Sequence, residues 1–562
     1  MFGIVHQFPI GVKKMLEDSW APVFRKLVFE KIDEKRYAVL FSDVPSRPNF
    51  PVNIWVGLEI IKSMFDLTDE ELLQHWHFDL LTAYALGQEG LGELTLSMRT
   101  IYYNRERLLE YENKTGRNLL EEEFHALSGE AIKAFSLDTT VQRMDTTFVG
   151  SYIKQMSRLE LVVKVLQNFY KDLPEEEQEQ WKPQLNEYLE EEAQHLSYRL
   201  KRLEVEGHLK KLGEWLFKLH QRYADDATVT GRKSYQHMGR VLNELFKVTL
   251  SPEKTVIEMK KADELSASSL QNPADDTATY RVKGGEAHVG HIAGIAETCT
   301  PGNPLQIVTD IAVYPNTQAD EAIAGERVPE IKQRMEISEI ITDAGFTGET
   351  SEKVCAEEGV TLIPTEILGP KLSEEKLSLK DFHFASNEII ACPALQEPLN
   401  ITHKDKTGRR IIRFSHDQCT NCPLVKKCPV IERKQYCSLS VTDRQLVLAR
   451  RRQQLEQEGY KEKCHMRPAV EGTISLFKRI TKNDKLRVHS LHRVSAVIIA
   501  AAIGINFKRI WAYLVKKQKE ERQSQASQGV IAAFYRFIFT LFFGLRQLWD
   551  NHTCYCRIYY SF

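Results

Sequence analysis

Three residues in the C-terminal third of the chain have types and spacing that suit a metal ion held beside a phosphate. They are Arg467, Glu471 and Lys478, in the segment HMRPAVEGTISLFKR. Offsets of four and seven residues put side chains on one face of a helix. Pro468 disfavours a helical Arg467 and suits the first helical position, so we expect Arg467 just before the helix. Taken alone, this spacing is also typical of a solvated helix face.

Two further acids stand at the ends of predicted strands. AFSLDTTVQRMDTTFVGSYI, residues 134–153, has β-branched and aromatic residues around two Asp-Thr-Thr triplets, at Asp138 and Asp145. The pattern predicts a short strand that presents an acid, and the residues alone do not separate the two aspartates. Asp343 follows the apolar Ile340-Ile341-Thr342 and precedes a Gly-Phe turn. It is therefore predicted at the C-terminal end of a buried strand, although an Asp at a strand end or turn is common.

The elements around Asp343 alternate between strands and helices. DDTATYRVKGGEAHVGHIAGIAET predicts two strands joined by a turn at Gly284-Gly285, and LQIVTDIAVYPN predicts a third. A helix in ADEAIAGERVPEIKQRM, the strand before Asp343, the helix SEKVCAEEG and the strand GVTLIPTEI follow. This order is that of a mixed α/β layer fold.

Helical patterns surround this region. Residues 52–135 show helical spacing, a capping pattern at Thr68 and Glu71, and a basic amphipathic helix in LSMRTIYYNRERLLEY. Such a module could place a helix in the major groove of DNA, and a plain helical bundle fits equally well. Residues 155–262 are rich in Glu, Leu and Gln and predict an acidic helical insertion. RVSAVIIAAAIGINFKRIWAYL predicts a buried helix that packs on the sheet.

Cysteines concentrate between residues 390 and 440. Cys419, Cys422 and Cys428 lie in CTNCPLVKKC, and Cys392 precedes them. Two cysteines separated by two residues form a knuckle that suits tetrahedral Zn²⁺, with Cys428 as a third ligand and Cys392 as a fourth. Cys437, His403 or His416 could substitute. Because CxxC occurs only once, unligated thiols are the alternative.

The charge of the chain is segregated. The net charge is −2, yet residues 401–520 contain 27 Lys and Arg against 10 Asp and Glu, a local +17 that leaves −19 for the rest. A basic block of this size predicts a polyanionic partner. The start shows no secretory signal, so a cytoplasmic protein with reduced thiols is expected. The apolar stretch GVIAAFYRFIFTLFFGL is near the lower limit for a membrane span, and packing within the protein is the preferred interpretation.

Together, these segments resemble bacterial insertion-sequence transposases of the DDE class. The resemblance covers residues 51–514 and rests on VNIWVGLEIIKSM, QRMDTTFVGSYI, DDTATYRVKGG, IITDAGFTGET, CTNCPLVKKC and RPAVEGTISLFKR. It selects Asp145 over Asp138, because QRMDTTFVGSYI is the better match. The family's Tyr-Arg-Glu-Lys pattern would place its tyrosine at position 464, where this chain has Cys464.

The resemblance implies an α/β fold with a ribonuclease-H-like mixed sheet as catalytic core, a helical N-terminal domain, a helical insertion and a cysteine-rich insertion. The expected divisions are a DNA-binding domain at 1–133, the first core strand at 134–153, a helical insertion at 154–262, the continued core at 263–370, a possible zinc-binding insertion at 371–440, core helices at 441–520 and an apolar tail at 521–562.

The resemblance also implies a mechanism and a set of partners. Asp145, Asp343 and Glu471 would hold Mg²⁺ or Mn²⁺, which would activate water to cut the element end and then join the 3′-hydroxyl to target DNA. The expected partners are double-stranded DNA, at the terminal inverted repeats and the target, and a second copy of the chain. Neither a small-molecule substrate nor a membrane is expected. The residues expected to contact phosphate are Arg467, Lys478, Arg450, Arg451 and Arg452.

Three rival functions remain at this stage. A decayed copy would bind DNA without cutting it, a metal-dependent nuclease would cut without joining, and a zinc-dependent regulator would use the acids only structurally. A labelled element end with Mg²⁺ separates these classes by binding, cleavage and joining.

Overall fold

The computed structural model describes residues 4–42, 49–92, 94–190, 199–250, 255–367, 375–385, 388–404, 409–481 and 485–558. Within these ranges, the side chains of residues 4, 403, 404 and 525–558 are not described.

The N-terminal part is a group of helices whose starts are fixed by side-chain caps. Thr68 and Glu71 form a reciprocal capping box, and the side chains of Ser97 and Asn118 cap two later helices. Three short 3₁₀ segments, Ile4–Gln7, Phe29–Lys31 and Glu34–Leu40, accompany the α-helices. The helices are α1 Ile10–Glu17, α2 Trp20–Leu27, α3 Val52–Phe65, α4 Asp69–Phe78, α5 Leu80–Ala85, α6 Met98–Thr115 and α7 Leu119–Ala134.

Strand β1, Val141–Gly150, follows, after which the chain forms a lobe with its own hydrophobic core. The prediction of helix alone over residues 155–262 is wrong at its end, because two β-branched segments pair as an antiparallel hairpin. Gly213 lets a helix approach this hairpin, since a Cβ there would lie 2.6 Å from the Phe246 ring. The lobe consists of α8 Arg158–Asp172, α9 Glu175–Leu189, α10 Arg202–Arg222, α11 Ala227–Thr230, α12 Lys233–Leu245, β2 Phe246–Leu250 and β3 Thr255–Met259.

The chain then returns to the sheet that β1 began. The elements are β4 Thr279–Lys283, β5 Glu286–Thr298, β6 Val308–Pro315, α13 Asp320–Arg334, β7 Glu339–Thr342, α14 Glu349–Glu357 and β8 Thr361–Pro364. Strand β1 pairs antiparallel with β5 on one side and parallel with β7 on the other, and β7 pairs parallel with β8. On its far side, β5 pairs antiparallel with β4 near its start and with β6 along the rest. The order is therefore β6-β5-β1-β7-β8, and β4 pairs with the part of β5 that precedes its pairing with β6.

The cysteine-containing segment forms small antiparallel sheets that sequence patterns did not reveal. Four of its strands form one sheet around a core that includes Phe382, Phe414 and Leu439, and their order in the sheet is β11 (Asn400–Lys404), β12 (Arg409–Ser415), β14 (Tyr436–Thr442) and β13 (Ile431–Glu432). The elements are β9 His383–Ala385, β10 Glu388–Ala391, β11 Asn400–Lys404, β12 Arg409–Ser415, α15 His416–Thr420, β13 Ile431–Glu432 and β14 Tyr436–Thr442.

Four helices complete the chain: α16 Asp443–Glu456, α17 Glu458–Cys464, α18 Ala469–Lys478 and α19 Leu491–Ile558. Helix α19 packs against α3, α7 and β6, so one hydrophobic core joins the N-terminal helices to one face of the sheet. The Asn506 side chain bonds to both the N–H and the C=O of Val308, which satisfies the backbone of β6. The segment Leu491–Ser524 is long and apolar enough to cross a membrane, but 67% of its apolar window is buried in the protein, as in a core helix.

Candidate active site

Asp145 and Asp343 lie where two parallel neighbouring strands separate. The pairing of β1 with β7 covers Val141–Arg143 opposite Glu339–Ile341. The last pair in this register is Arg143 with Ile341. Two residues further along both chains, the same register brings Asp145 beside Asp343, which follows the last residue of β7. Two acids far apart in the sequence therefore meet at one edge of the sheet.

Asp145 is a buried acid on a regular strand. Only 6% of the residue is exposed, and its Oδ1 accepts a hydrogen bond of 2.8 Å from the Thr146 N–H. Burial raises the pKa of the Asp145 carboxyl, while the Arg467 guanidinium and the Thr146 N–H favour its charged form. Asp138, the other aspartate considered, is exposed, and its Oδ1 accepts from the Thr140 N–H and hydroxyl. It caps a turn away from this edge.

Asp343 begins a tight turn. Its Oδ1 accepts a hydrogen bond of 2.8 Å from the Gly345 N–H, at the start of the 3₁₀ segment Ala344–Phe346. The side chain is 29% exposed, so it faces solvent more than Asp145 does. The turn fixes the carboxylate at the end of the strand and leaves the second oxygen, Oδ2, available to a cation.

Arg467 connects the two acids. Its Nη2 lies 2.8 Å from Asp145 Oδ2 and 3.8 Å from Asp343 Oδ2. Because Pro468 precedes the first residue of α18, Arg467 reaches these acids from just outside the helix. The arrangement indicates that positive charge is favoured between the two carboxylates.

Glu471 and Lys478 lie on the helix that follows Arg467. Glu471 is in the first turn of α18 and Lys478 is its last residue, and both are exposed. Among the residues that the structure describes, the Glu471 carboxylate forms neither an ion pair nor a hydrogen bond. The structure thus brings Asp145, Asp343 and Arg467 together, and leaves Glu471 exposed on the helix that follows Arg467.

A buried carboxylate that sequence patterns missed holds this helix on the sheet. Glu297, on β5, is fully buried and pairs with Arg143 at 2.6 Å and with Arg509 at 2.8 Å. Its Oε2 also accepts a hydrogen bond of 2.6 Å from the Thr473 hydroxyl of α18. Arg143 donates in turn to the Met466 carbonyl, at 2.7 Å, next to Arg467. One acid therefore joins β5, β1, α18 and α19, and it carries no motif that could have identified it.

A second missed acid, Asp320, lies beside the site. It is the first residue of α13, is 8% exposed, and accepts a 3.0 Å hydrogen bond from the Thr146 hydroxyl. A Cβ at Gly345 would meet both the Asp320 and the Asp343 carboxylates at 3.0–3.1 Å. Asp320 thus links the residue after Asp145 to the turn of Asp343.

The three consecutive arginines of α16, Arg450 to Arg452, have different surroundings. Arg451 pairs with Glu352 of α14 at 2.7 Å and is mostly buried, so this guanidinium already has an acidic partner. Arg450 is exposed and Arg452 is half-buried.

Five cysteines line one small cavity of about 50 Å³: Cys392, Cys419, Cys422, Cys428 and Cys437. The Gln396 N–H donates to the sulfur of Cys392 at 3.4 Å. Burial and the neighbouring thiols raise the pKa of Cys419 to about 12. Burial also raises the pKa of Cys428, and a hydrogen bond from the Val430 backbone opposes that shift. The four cysteines expected to bind zinc do come together, and Cys437 joins them.

A separate cluster of possible metal ligands is an ion-pair network. Ligand atoms of Glu121, His125 and Asp310 lie within 4.8 Å of one another. However, Arg327 donates to both carboxylate oxygens of Asp310 at 2.7 Å, and these charges hold the pKa of Asp310 well below its usual range against the effect of burial. Because Arg327 already neutralises the buried Asp310, this cluster does not offer a cation site. Its ion pairs instead join α7 to β6 and α13.

Residues 391–511 match the family model described as a transposase DDE domain. The chain carries the DDE domain of a transposase. The matched segment includes the cysteine cavity, Arg467, Glu471 and Lys478, whereas Asp145 and Asp343 precede it. A transposase domain implies DNA as a partner, which agrees with the polyanionic partner expected from the charge distribution. No curated protein and no solved structure matches the chain.

Proposed function

We propose that this transposase binds the ends of an insertion sequence and catalyses metal-dependent phosphodiester hydrolysis followed by strand transfer. The observation that supports it most is the contact of Arg467, within the matched segment, with Asp145 at 2.8 Å and Asp343 at 3.8 Å. Two acids outside the matched segment thereby join the residues inside it.

The donor set fits a hard divalent cation. Carboxylate oxygens of Asp145, Asp343 and Glu471 are the ligands that Mg²⁺ and Mn²⁺ prefer. When bound, such ions activate an attacking oxygen and stabilise the leaving oxygen of a phosphodiester. The cation that now lies between Asp145 and Asp343 is the Arg467 guanidinium, which shows that the edge attracts positive charge.

The chain's own cations supply the contacts to DNA. Arg467 orients the two carboxylates, and its planar guanidinium can bind a phosphate oxygen in the same place. Lys478 lies seven residues from Glu471 on α18, on the same side of the helix, where it can contact the DNA backbone. Arg450 and Arg452 of α16 are further candidates for phosphate contacts, and Arg451 pairs with Glu352.

The strand order supports a ribonuclease-H-like core. Three antiparallel strands, β6-β5-β1, continue into two parallel strands, β7 and β8. In this order the first acid lies on the central strand and the second at the end of its parallel neighbour. The helical lobe and the cysteine-rich segment are then insertions in that core.

Two alternatives use the same residues. A nuclease would cut DNA without joining it, and a non-catalytic copy would only bind. The test is a labelled duplex taken from the DNA that borders the gene, incubated with Mg²⁺ and a supercoiled target. We expect cleavage that leaves a 3′-hydroxyl, and joined products. Cleavage without joining overturns strand transfer, and binding without cleavage overturns catalysis.

We further propose that Cys392, Cys419, Cys422 and Cys428 bind a structural Zn²⁺ in the cavity that Cys437 also lines. The segment has only a small core, and such segments gain stability from a metal. A backbone N–H donates to the Cys392 sulfur at 3.4 Å, and a Val430 backbone hydrogen bond opposes the raised pKa of Cys428.

Metal analysis of the purified full chain is expected to give about one zinc per chain. Cys422→Ser should lose most of this zinc, because a tetrahedral site needs all four ligands. Cys464→Ser is the matched control, since Cys464 lies on α17 and does not line the cavity. A wild-type chain without stoichiometric zinc, or equal zinc in both variants, contradicts the site.

A further inference from the structure

An aromatic and cationic surface lies on the sheet next to Asp145. The Phe148 ring, three residues further along β1, stacks on the His288 imidazole of β5 with centroids 4.2 Å apart and planes at 3°. Both rings are half-buried, so part of this flat surface is open to solvent.

Two cations complete the surface. The Arg281 guanidinium carbon and Lys283 Nζ, both on β4, each lie 5.7 Å from the centroid of the Phe148 ring. Arg281 is held by the carbonyls of Asn316 and Gln318, at 3.2 and 3.3 Å. Lys283 is exposed at the end of the strand, before the turn at Gly284-Gly285. We call Phe148, His288, Arg281 and Lys283 the hairpin surface.

The charges of this surface are not neutralised by the protein. Among the residues that the structure describes, none of Arg281, Lys283 and His288 forms an ion pair with a carboxylate. Glu286 is opposite Lys283 in the β4–β5 register, yet the two side chains do not pair. Basic side chains that have no acidic partner, placed beside an aromatic ring, are the combination that binds nucleic-acid strands.

The hairpin surface is close to the candidate active site. Phe148 shares β1 with Asp145, and Thr146, on the Phe148 side of the strand, donates to Asp320. Asp145 and Phe148 are an odd number of residues apart, so their side chains leave β1 on opposite faces, and the hairpin surface is a separate surface about 10 Å from the site along the strand.

We propose that the hairpin surface binds a locally unpaired strand of the DNA substrate beside the cleavage site. This inference rests on the proposed function. Arg281 and Lys283 contact backbone phosphates, and the Phe148–His288 pair offers a flat face to an unstacked base. A fully paired duplex buries its base faces, so the aromatic contribution acts only on unpaired DNA.

The test is binding of the full chain, without divalent metal, to a fluorescent blunt duplex and to the same duplex with a short unpaired arm. Phe148→Leu keeps an apolar side chain but removes the ring, and should weaken binding to the forked duplex about 5-fold or more while sparing the blunt one. Lys283→Ala should weaken binding to both duplexes. It should also reduce the slope of log affinity against log salt concentration by about one, because one phosphate contact is lost.

Two control variants accompany these. Tyr280→Ala changes the exposed neighbour on the opposite face of β4, and Lys211→Ala removes an exposed lysine of the helical lobe. Both should bind as the wild type does. Thermal unfolding of every variant shows whether the fold is retained.

If Phe148→Leu and Lys283→Ala, both folded, bind the forked duplex as tightly as the wild type, the hairpin surface is not the binding site. Failure of the proposed function is a different result: the wild type then binds neither duplex, or binds without Mg²⁺-dependent cleavage.

Discussion

Glu471→Gln is expected to reduce Mg²⁺-dependent DNA cleavage on the order of 10³-fold or more, while DNA binding is retained. The substitution removes a metal-binding carboxylate and keeps the size of the side chain. Glu471 is exposed in the first turn of α18 and has no side-chain partner among the described residues, so the fold should not depend on it. The measurement is single-turnover cleavage of a labelled element end, with binding followed in parallel.

Glu458→Gln is the matched control for this prediction. Glu458 begins α17, is 84% exposed and lies in the same basic region, where its carboxylate is 3.6 Å from Lys461. The same chemical change at this position should leave cleavage nearly unaltered. Cleavage that survives Glu471→Gln would remove this glutamate from the site, and equal loss in both variants would mean that the effect is one of net charge.

Glu297→Gln is expected to destabilise the fold by about 3–5 kcal/mol. The substitution removes the charge that neutralises Arg143 and Arg509, at 2.6 and 2.8 Å, and leaves two largely buried guanidinium groups without an anionic partner. It also weakens the 2.6 Å hydrogen bond from Thr473, which holds α18 on the sheet. Urea unfolding monitored by circular dichroism measures the change.

The control for this substitution is Glu357→Gln, which breaks an exposed pair with Lys353 at 3.9 Å and should cost less than about 1 kcal/mol. Glu297→Gln should also reduce cleavage in the fraction that remains folded, because α18 carries Glu471. A loss of stability no larger than that of the control would show that Glu297 does not hold the helix.

The main sheet could be predicted from local patterns, because its strands are apolar and bounded by turns. The hairpin at Gly284-Gly285 and the position of Asp343 at a strand end are confirmed. The choice between Asp138 and Asp145 could not be made from residue types, since both follow the same Asp-Thr-Thr pattern. Only the register of β1 against β7 separates them.

Other features could not be predicted because they depend on distant contacts. Glu297 lies in an apolar strand and has its role only through Arg143, Thr473 and Arg509, which come from three other elements. Strands β9 to β14 have two to seven residues each, too short to show a clear alternation. Which of the alternative ligands joins the other four cysteines likewise depends on the pairing of β12 with β14, which carries Cys437.

The most direct test of the central claim is the location of bound Mn²⁺ by anomalous diffraction from crystals of the full chain. We expect a peak at the edge of the sheet between the carboxylates of Asp145 and Asp343, with Glu471 on the same ion or on its neighbour. A peak at Glu121, His125 and Asp310 instead, or Asp145 and Asp343 still bridged by Arg467 at saturating Mn²⁺, would contradict it.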